Sequence, residues 1–587
     1  MIELLLGNEA LALGAYEAGV QVATAYPGTP STEIIENCSR YPEIYTEWAP
    51  NEKVALEVGI GASMGGARTL VAMKHVGVNV AADPLFTFSY TGVNGGMVLV
   101  SADDPGMHSS QNEQDNRGYA RMAKLPMLEP SDSQEVKDMV QIALELSEAF
   151  DTPVLLRVTT RLAHSMSLVT TSRQREGVAV RPYTKDAAKN VMLPGHARAR
   201  HLKVEERMAA LREYAERTGL NRIEWADREI GIITSGVVYQ YAREIIPQAS
   251  FLKIGLTNPL PRKMIEEFVA GVKKVYVIEE LEPILEEQIR SWGLSVIGKE
   301  IFPRVGEISP ELIAEKILGI KARPSYVMEE VLPARPPVLC PGCPHRGIFY
   351  QLNRMKLTVS GDIGCYTLGA LPPLASMDSC VCMGGSIGMA LGMEKARGKE
   401  FARRQVAVIG DSTFVHSGIT PLIDVVYNQG TTTVMILDNG TTAMTGHQDH
   451  PGTGFNVSGQ PAYQLDLENL VRAVGIERVR VVDPLDLKQT RQVLKEELAV
   501  EAPSVIIARR LCVLRDKPTG LVYTVNDKCT GCKVCLRTGC PGLEFRADKV
   551  TINPLQCSGC GLCAQVCAFE AIQKEGGIAA GGEQSGK

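Results

Sequence analysis

The spacing of the cysteines near the C-terminal end constrains this chain more than any other feature. Eight of its 15 cysteines lie between Cys529 and Cys567. Soft thiolates repeated at intervals of three residues are typical ligands of iron–sulfur clusters, because one tight loop can then hold one face of a cubane. The segment therefore predicts two 4Fe–4S clusters. The two sets are Cys529, Cys532, Cys535 and Cys540, followed by Cys557, Cys560, Cys563 and Cys567.

The segment resembles the bacterial two-cluster ferredoxins, in which the fourth cysteine of each set binds the other cluster. The first set departs from that pattern, because four residues rather than three precede Cys540. Two structural zinc sites are the alternative, but zinc sites seldom repeat sets of three plus one. The resemblance assigns one cluster to Cys529, Cys532, Cys535 and Cys567, and the other to Cys557, Cys560, Cys563 and Cys540.

Length and composition describe a large globular chain. Its 587 residues are too many for one hydrophobic core and predict about four domains. A net charge of −6 gives no basic footprint for nucleic acid. The sequence begins without a signal-peptide pattern and contains no apolar run long enough to span a membrane. We therefore expect a cytoplasmic enzyme, in which reduced thiols can bind metal.

Short apolar runs alternate with helical stretches along most of the chain, which predicts α/β domains. A charged helical linker interrupts the pattern, and the Gly-rich C-terminal tail is expected to be flexible. The predicted divisions are an α/β domain at 1–175, the linker at 176–227, α/β domains at 228–322 and 335–515, the cysteine module at 519–575 and the tail at 576–587.

A second chemical signal lies at the ends of two predicted strands. Gly410-Asp411-Ser412 follows the strand Gln405–Ile409, and Asn439, twenty-eight residues beyond Asp411, follows the strand Thr433–Leu437. Side chains at neighbouring strand ends can reach one Mg²⁺, a hard cation that prefers an octahedron of oxygen ligands. Two ordinary strand-end turns are the alternative reading.

This pair resembles the thiamine-diphosphate signature, with Ser412 in place of its usual second glycine. The resemblance assigns Asp411, the Asn439 side chain and the Thr441 carbonyl group as Mg²⁺ ligands. A Gly-rich helix start could also present main-chain N–H groups to the diphosphate. The residues expected to line the diphosphate are Gly384, Gly385, Ser386 and Gly410.

Thiamine enzymes also need a carboxylic acid, supplied by another domain, that activates the aminopyrimidine ring. Glu52 precedes the Gly- and Ala-rich helix Gly59–Ala67 and is the expected acid, with Glu57 as the second choice. A glutamate favoured by the helix dipole alone is the alternative for Glu52.

A thiamine module joined to a ferredoxin module resembles the 2-oxoacid:ferredoxin oxidoreductases over nearly the whole chain. Tyr26–Glu33 is similar to a family segment near the substrate, with Thr29 as the contact. Cys340–Arg346 and parts of Met97–Asp115 are similar to the large (alpha) subunit of its indolepyruvate branch. The implied fold is a multidomain α/β thiamine-enzyme fold: pyrimidine-binding (1–175), transketolase-C-like (228–322), diphosphate-binding (335–515) and two-cluster ferredoxin (519–575) domains.

The family comparison implies a third 4Fe–4S cluster beside the thiamine. Cys340, Cys343 and Cys365 match the family spacing, and Cys512 follows the strand Ser504–Ala508 as the family's fourth cysteine does. A zinc site or inert thiols are the alternatives for this quartet. The remaining cysteines are expected to be small buried hydrophobic residues: Cys38, Cys380 and Cys382.

Two departures from the family concern the substrate. Asp103-Asp104 stand near the place of a carboxylate-binding arginine in the pyruvate enzymes, and Met444 replaces a substrate-contacting asparagine. A flexible apolar Met fits an aromatic side chain better, which favours indolepyruvate, phenylpyruvate or hydroxyphenylpyruvate over pyruvate. The partner of the substrate carboxylate stays open among three residues, each more often structural: His75, Lys74 and Arg117.

The resemblance implies oxidative decarboxylation of an aryl 2-oxoacid with thiamine diphosphate and Mg²⁺. Electrons would pass through three 4Fe–4S clusters to a soluble ferredoxin, and the acyl group to coenzyme A. A smaller beta subunit and an α2β2 assembly are also implied. The alternatives are the same chemistry on branched-chain oxoacids, pyruvate or 2-oxoglutarate, a non-redox thiamine decarboxylase or carboligase, and an electron-transfer subunit with a vestigial thiamine site.

Overall fold

The computed structural model describes residues 1–321, 335–516 and 522–575. The chain divides into two compact units, Met1–Glu329 and Glu330–Lys587. The predicted tail at 576–587 lies outside the described residues, as do the first three residues of the predicted cysteine module.

The strands of the first unit include short runs that are buried along their whole length. In chain order they are β1 (Ile2–Leu6), β2 (Val22–Ala25), β3 (Tyr45–Trp48), β4 (Thr69–Lys74), β5 (Met97–Asp103), β6 (Met127–Leu128), β7 (Val154–Thr159), β8 (Met166–Thr170), β9 (Arg222–Glu224), β10 (Asp227–Thr234), β11 (Ala249–Lys253), β12 (Leu256–Asn258) and β13 (Lys274–Ile278).

Helices connect most of these strands. They are α1 (Gly7–Glu17), α2 (Thr32–Cys38), α3 (Glu52–Met64), α4 (His75–Val80), α5 (Ala82–Thr91), α6 (Arg117–Ala123), α7 (Ser133–Phe150), α8 (Thr160–His164), α9 (Ala187–Asn190), α10 (Pro194–Ala215), α11 (Val238–Ile245), α12 (Arg262–Ala270), α13 (Ile284–Ser291) and α14 (Pro310–Ile313), which a π-helical turn continues (Ala314–Leu318).

A seven-stranded sheet forms the centre of the first unit, in the order β12-β6-β7-β5-β4-β2-β3. Its strands from β6 to β3 run parallel, whereas β12 pairs antiparallel with β6. Strands β4, β5 and β7 are buried at every position, as expected where crossover helices cover both faces of a parallel sheet. Because β12 comes from the segment 228–322, this segment and residues 1–175 share one sheet.

The predicted charged linker contains the long helix α10, which is docked rather than free. Arg200 Nε donates to the Tyr90 carbonyl oxygen at 2.7 Å, and Arg207 Nη1 donates to that of Ser89 at 2.8 Å. The charged side chains of α10 therefore fasten it to the end of α5.

The second unit is built on a parallel sheet of order β14-β15-β16-β18-β17, followed by two antiparallel pairs of strands, β19-β22 and β20-β21. One hydrophobic core contains side chains of this sheet and most of the cysteines of the module. The strands are β14 (Thr358–Ser360), β15 (Gln405–Gly410), β16 (Thr433–Asp438), β17 (Arg478–Val482), β18 (Ser504–Arg509), β19 (Val522–Val525), β20 (Leu543–Arg546), β21 (Lys549–Ile552) and β22 (Ile572–Glu575).

The helices of this unit are shorter near the cysteine module. They are α15 (His345–Met355), α16 (Gly385–Arg397), α17 (Lys399–Ala402), α18 (Asp411–Thr413), α19 (Ile419–Tyr427), α20 (Leu467–Ala473), α21 (Leu487–Leu498) and α22 (Leu562–Gln565), with 3-10 turns at Cys365–Ala370, Ala443–Thr445 and Cys535–Thr538 and a π-helical turn at Phe414–Gly418. Both units are α/β, as the alternating sequence pattern predicted.

Candidate active site

Two adjacent parallel strands bring the predicted Mg²⁺ ligands together. Strands β15 and β16 pair with Gly410 opposite Leu437, so Asp411 and Asn439 both emerge at the carboxyl edge of the sheet. The side chains of Asp411, Asn439 and Thr441 are all buried. The topology of the sheet thus explains how residues twenty-eight positions apart can share one ion.

Three polar groups converge at this edge. One atom of the Asn439 side-chain amide lies 3.1 Å from both Asp411 Oδ1 and the Thr441 carbonyl oxygen. With its nitrogen in that position the amide donates to both atoms, and with its oxygen there the three oxygens form a ligand set for a cation. Neighbouring ligands of an octahedral Mg²⁺ stand about 3 Å apart, because each Mg–O bond is about 2.1 Å long. Converging oxygens repel each other unless a cation or a hydrogen lies between them. The donor set and its spacing therefore fit Mg²⁺.

The other oxygen of Asp411 is held by neighbouring residues. The Gly440 N–H donates to Asp411 Oδ2 at 2.8 Å, and His450 Nε2 lies 3.3 Å from the same atom. Gly440 has a φ of 66°, a left-handed conformation that glycine adopts without strain. These contacts fix the orientation of the carboxylate and leave Oδ1 directed at Asn439.

The Gly-rich helix start is already occupied by a carboxylate of the chain itself. Asp362 Oδ1 accepts a hydrogen bond from Gly384 N at 2.8 Å, and Asp362 Oδ2 accepts one from Ser386 N at 3.0 Å. The N–H group of Gly385 donates to the Cys382 carbonyl oxygen at 3.1 Å. A direct contact of the Gly384, Gly385 and Ser386 N–H groups with a diphosphate stays a prediction. It would require Asp362 to release its hydrogen bonds to Gly384 and Ser386.

The expected catalytic acid, Glu52, lies in the first unit at the start of α3. The Asn51 side chain caps this helix by accepting from Val54 N at 2.9 Å, and Glu52 is only 6% exposed. Glu57 points to solvent, where it pairs with Lys53. Burial distinguishes the two carboxyl groups and favours Glu52.

The four cysteines of the implied third cluster are neighbours around the end of β14 and the end of β18. Burial raises the pKa of the Cys343 thiol to about 12, and the charges of Cys340 and Cys365 act in the same direction. Burial and the charge of Cys512 raise the pKa of Cys365 to about 11. Thiolates crowded in an apolar interior are stabilised by a bound metal, which displaces their protons. The quartet therefore fits an iron–sulfur cluster.

The cysteines of the C-terminal module are brought together in the two crossed groups. Burial raises the pKa of Cys535, and charges of three neighbouring thiols add to this; the pKa of Cys563 is raised to about 12 for the same reasons. The neighbours of Cys535 are Cys532, Cys567 and Cys529, and those of Cys563 are Cys560, Cys540 and Cys557.

Over residues 1–321, 335–516 and 522–575, no three His, Cys, Asp or Glu side chains lie close enough together to bind a single metal ion. A cubane of four irons and four sulfurs keeps its cysteines well separated. The assignment of each cysteine to a cluster stays a prediction, which this grouping supports.

Two hydrogen bonds connect the third-cluster quartet of cysteines to the sheet edge at Asp411 and Asn439, which is called the Mg²⁺ edge after its predicted ligands. The Cys512 N–H donates to the Asn439 carbonyl oxygen at 2.9 Å. Tyr366, which follows Cys365, accepts a hydrogen bond from Gly410 N at 3.0 Å through its hydroxyl oxygen. Each of these cysteine loops is thus one hydrogen bond away from a residue beside Asp411.

Three family models match the chain. They are "Pyruvate flavodoxin/ferredoxin oxidoreductase, thiamine diP-bdg" over residues 13–219, "Thiamine pyrophosphate enzyme, C-terminal TPP binding domain" over residues 362–508, and "4Fe-4S binding domain" over residues 550–573. The models confirm the predicted thiamine-enzyme fold with a C-terminal 4Fe–4S domain.

Curated proteins extend the match over nearly the whole length. Indolepyruvate oxidoreductase subunit IorA of Archaeoglobus fulgidus is 41% identical, and the alignment covers 97% of each chain. The chain belongs to the indolepyruvate oxidoreductase subunit IorA family. The IorA protein of Pyrococcus abyssi is 40% identical over 97% of this chain and 96% of its own. Ketoisovalerate oxidoreductase subunit VorB of Methanothermobacter thermautotrophicus is more distant, with 24% identity over 49% of this chain and 89% of its own.

Two of the predicted substrate residues of this IorA-family chain, Lys74 and Thr29, are joined through Ser109 in the first unit. Lys74 Nζ donates to the Ser109 carbonyl oxygen at 2.7 Å, and Ser109 Oγ donates to that of Thr29 at 3.2 Å. Lys74 is 8% exposed. Burial lowers the pKa of Lys74 to about 8, although the charge of Asp104 opposes that shift. Ser109 therefore connects the lysine to the residue predicted to contact the substrate, and the role of both stays a prediction.

The other two candidates for the substrate carboxylate are engaged elsewhere. Arg117 donates to Asp115 Oδ2 at 2.5 Å and to Glu279 Oε2 at 2.6 Å, all within the interior. His75 is fully buried, and burial lowers its pKa, which favours the neutral ring. Lys74 is the cation that remains beside Thr29.

Expectations about two other groups of residues have mixed outcomes. Met444 lies on a 3-10 turn directly after the Mg²⁺ loop and is 50% exposed, so its side chain is accessible. Cys38 is buried as expected, but Cys380 is half-buried and Cys382 is exposed. The prediction of small buried hydrophobic residues is therefore wrong for Cys380 and Cys382, because both lie in the loop that leads to α16.

Sequence reasoning missed three residues of the site. Asp362 follows Gly361 at the end of β14, a strand-end signal like the Gly410-Asp411 pair. Arg346 is the last residue of the segment Cys340–Arg346 that resembles the family, but no sequence pattern showed its contact with the C-terminal cysteine module. His450 lies in an irregular stretch, and no pattern in the sequence points to it.

None of the helices in the described ranges is both long and apolar enough to cross a membrane.

Proposed function

We propose that this chain catalyses the thiamine-dependent oxidative decarboxylation of aryl 2-oxoacids, indolepyruvate among them, and passes the electrons to ferredoxin. The observation that carries the proposal is the pair of hydrogen bonds that join the Mg²⁺ edge to the loops of Cys365 and Cys512. An electron released at a cofactor held by Asp411 would start next to an iron–sulfur cluster. The names of the IorA relatives support the aryl substrate.

Asp411, Asn439 and the Thr441 carbonyl group would hold Mg²⁺, and through it the diphosphate. When bound, thiamine diphosphate supplies a carbon that attacks the ketone and accepts the electron pair left when CO₂ departs. Glu52, buried at a helix N-terminus, would hold or release a proton at the aminopyrimidine ring. The protein thus contributes orientation and proton transfer around chemistry that belongs to the cofactor.

Lys74 is the residue that we assign to the substrate carboxylate. Its ammonium group is buried, and its nearest carboxylate is occupied: Asp104 accepts from Ser110 Oγ at 2.5 Å and from Thr160 Oγ1 at 2.7 Å. A buried cation without a dedicated counterion binds an anionic ligand strongly. Thr29 would contact the same substrate, and the accessible Met444 would contact its aromatic side chain.

Three 4Fe–4S clusters would carry the electrons, one held by each cysteine group. Coenzyme A would accept the acyl group, and a smaller beta subunit would complete an α2β2 enzyme, consistent with the word "subunit" in the names of the relatives. We place the enzyme in the cytoplasm, where thiols remain reduced and free to bind iron.

A substrate panel on the purified assembly, with reduction of ferredoxin as the readout, tests this function. We expect arylpyruvates to be oxidised with a higher kcat/KM than pyruvate, 2-oxoglutarate or branched-chain oxoacids, in a reaction that requires coenzyme A. A higher kcat/KM for a branched-chain oxoacid would contradict the aryl preference and favour a substrate like the one in the name of the VorB relative. Aldehyde as the sole product, with no ferredoxin reduced, would contradict the redox function.

A further inference from the structure

Arg346 lies in the interior between two groups of cysteines. It is the second residue of α15, three positions after Cys343, and it is 2% exposed. Its neighbours include two thiols from each group: Cys340 and Cys343 from the third-cluster quartet, and Cys540 and Cys560 from the C-terminal module.

The hydrogen bonds of Arg346 reach both groups through main-chain carbonyl oxygens. Nε donates to Cys340 O at 2.9 Å, and Nη2 donates to Leu339 O. Nη1 donates to Thr538 O at 3.3 Å and to Gly539 O, directly before Cys540. One guanidinium therefore fastens two cysteine loops that are almost two hundred residues apart in the sequence.

The loops themselves are in close contact. A Cβ built on Gly342 would stand 1.9 Å from Ser558 Oγ. Gly342 lies between Cys340 and Cys343, and Ser558 between Cys557 and Cys560. Glycine at this position suits both the approach of one cysteine loop to the other and its own positive φ of 74°.

Among the described residues, the charge of Arg346 has no carboxylate partner. Within the described residues, its hydrogen bonds go to carbonyl oxygens, and none of the ion pairs includes it. Burial lowers the pKa of its guanidinium, and the charges of Cys540 and Cys343 oppose this. Arginine stays protonated in proteins, so a permanent positive charge is buried between the two groups. Burying such a charge is costly without negative charge nearby.

We propose that Arg346 is a positioning residue for electron transfer. Its fixed charge raises the reduction potentials of two clusters and makes them the adjacent pair. One is the cluster at Cys340, Cys343, Cys365 and Cys512, and the other is the cluster at Cys540, Cys557, Cys560 and Cys563. The inference rests on the proposed function, because it needs both clusters.

The physical reason is the charge change on reduction. Reduction adds one electron and no proton to a cluster, so its negative charge grows by one; the electron comes from the 2-oxoacid and leaves to ferredoxin. Net charge and hydrogen bonding around the cluster set its potential. A buried cation stabilises the more negative state far more than an exposed one, because water screens the exposed charge.

The test is a redox titration of the whole purified enzyme, followed by electron paramagnetic resonance, for the parent and for Arg346→Gln. We expect two of the three midpoint potentials to fall in the variant and the third, from the cluster at Cys529, Cys532, Cys535 and Cys567, to stay. Arg346→Lys keeps the charge and should recover most of the shift. Arg537→Gln is the matched control, because it removes an exposed arginine three residues before Cys540 and should move no potential.

Iron analysis separates the possible failures. Full iron content with three unmoved potentials in Arg346→Gln would overturn the role of Arg346 and leave the proposed function intact. A parent enzyme with iron for only two clusters would overturn the proposed function. If Arg346→Gln loses iron, the Arg346→Lys variant decides between the two roles of Arg346. Full iron content with unmoved potentials in Arg346→Lys supports the role of the positive charge. Loss of iron in Arg346→Lys as well overturns the proposal in favour of a structural role.

Discussion

Gly77 lies directly against the carboxyl group of Glu52. A Cβ built on Gly77 would come within 2.7 Å of Glu52 Cγ and 2.8 Å of Glu52 Oε1, closer than real Cβ atoms approach other groups. Gly77 belongs to α4 and has an ordinary helical conformation, so its backbone does not require glycine. Space for the Glu52 side chain is the reason for the missing Cβ.

Substitution of Gly77 by alanine should therefore displace Glu52, the proposed catalytic acid, without removing it. We expect kcat to fall by about 10²-fold, the cost of a misplacement near 1 Å, with little change in thiamine diphosphate affinity. Steady-state kinetics with ferredoxin reduction measures this. Gly61→Ala in α3 is the control, because nothing lies within 4 Å of a Cβ at Gly61, and its kcat should stay at the parent value. Equal kcat in both variants would contradict the contact.

Removal of the Glu52 charge should have a larger effect than removal of the charge at Glu57. Glu52→Gln keeps the size of the buried side chain but cannot exchange a proton, so we expect kcat to fall by about 10²–10⁴-fold. Glu57→Gln breaks an exposed ion pair with Lys53 and should leave kcat unchanged. If the two variants behave the other way round, Glu57 is the acid and the order of preference is wrong.

The residues that could be predicted from the sequence are those whose partners are marked by a local pattern. Each cysteine set lies within one loop, and Asp411 and Asn439 each end a strand that the apolar pattern reveals. Arg346 donates a hydrogen bond to the carbonyl oxygen of Gly539, 193 residues further along the chain. No local sequence pattern predicts such a contact. Asp362 had a local signal, its place at a strand end, but its bonds to α16 join residues 22 and 24 positions apart and no local pattern predicts them.

The α/β class and the positions of β15, β16 and β18 were predictable, because buried parallel strands are short apolar runs. The pairing of β12 with β6 was not. Edge pairing depends on how distant segments meet, and β12 consists of only Leu256–Asn258. The predicted boundary between the first and third segments therefore divides strands that belong to one sheet.

The Mg²⁺ edge should depend on the charge of Asp411. Asp411→Asn keeps the shape of the side chain but replaces a carboxylate oxygen by an amide, so the ion loses its one anionic protein ligand among the three proposed. We expect the affinity for thiamine diphosphate, measured by calorimetry in the presence of Mg²⁺, to fall by at least about 10²-fold. Asp424→Asn on the exposed face of α19 is the control. Removal of Mg²⁺ by a chelator should release thiamine diphosphate from the parent enzyme. Retention of the cofactor by Asp411→Asn would contradict the assignment of Asp411 as a Mg²⁺ ligand.

The pH dependence of substrate capture should report Lys74. Burial lowers the pKa of Lys74 to about 8, so the side chain is cationic below that pH and neutral above it. Only the cation attracts the substrate carboxylate. We therefore expect kcat/KM for indolepyruvate, which reflects the free enzyme, to fall about tenfold per pH unit above pH 8. Lys74→Met should lower kcat/KM below pH 8 and abolish the alkaline fall.

Two further variants separate a role in binding from a structural one. Asp104→Asn removes the charge that raises the pKa of Lys74, so the alkaline fall should move to lower pH. Lys53→Met removes an exposed lysine of the same unit and should leave the profile unchanged. A profile that keeps its alkaline fall in Lys74→Met would show that another group binds the carboxylate, because a methionine has no proton to lose.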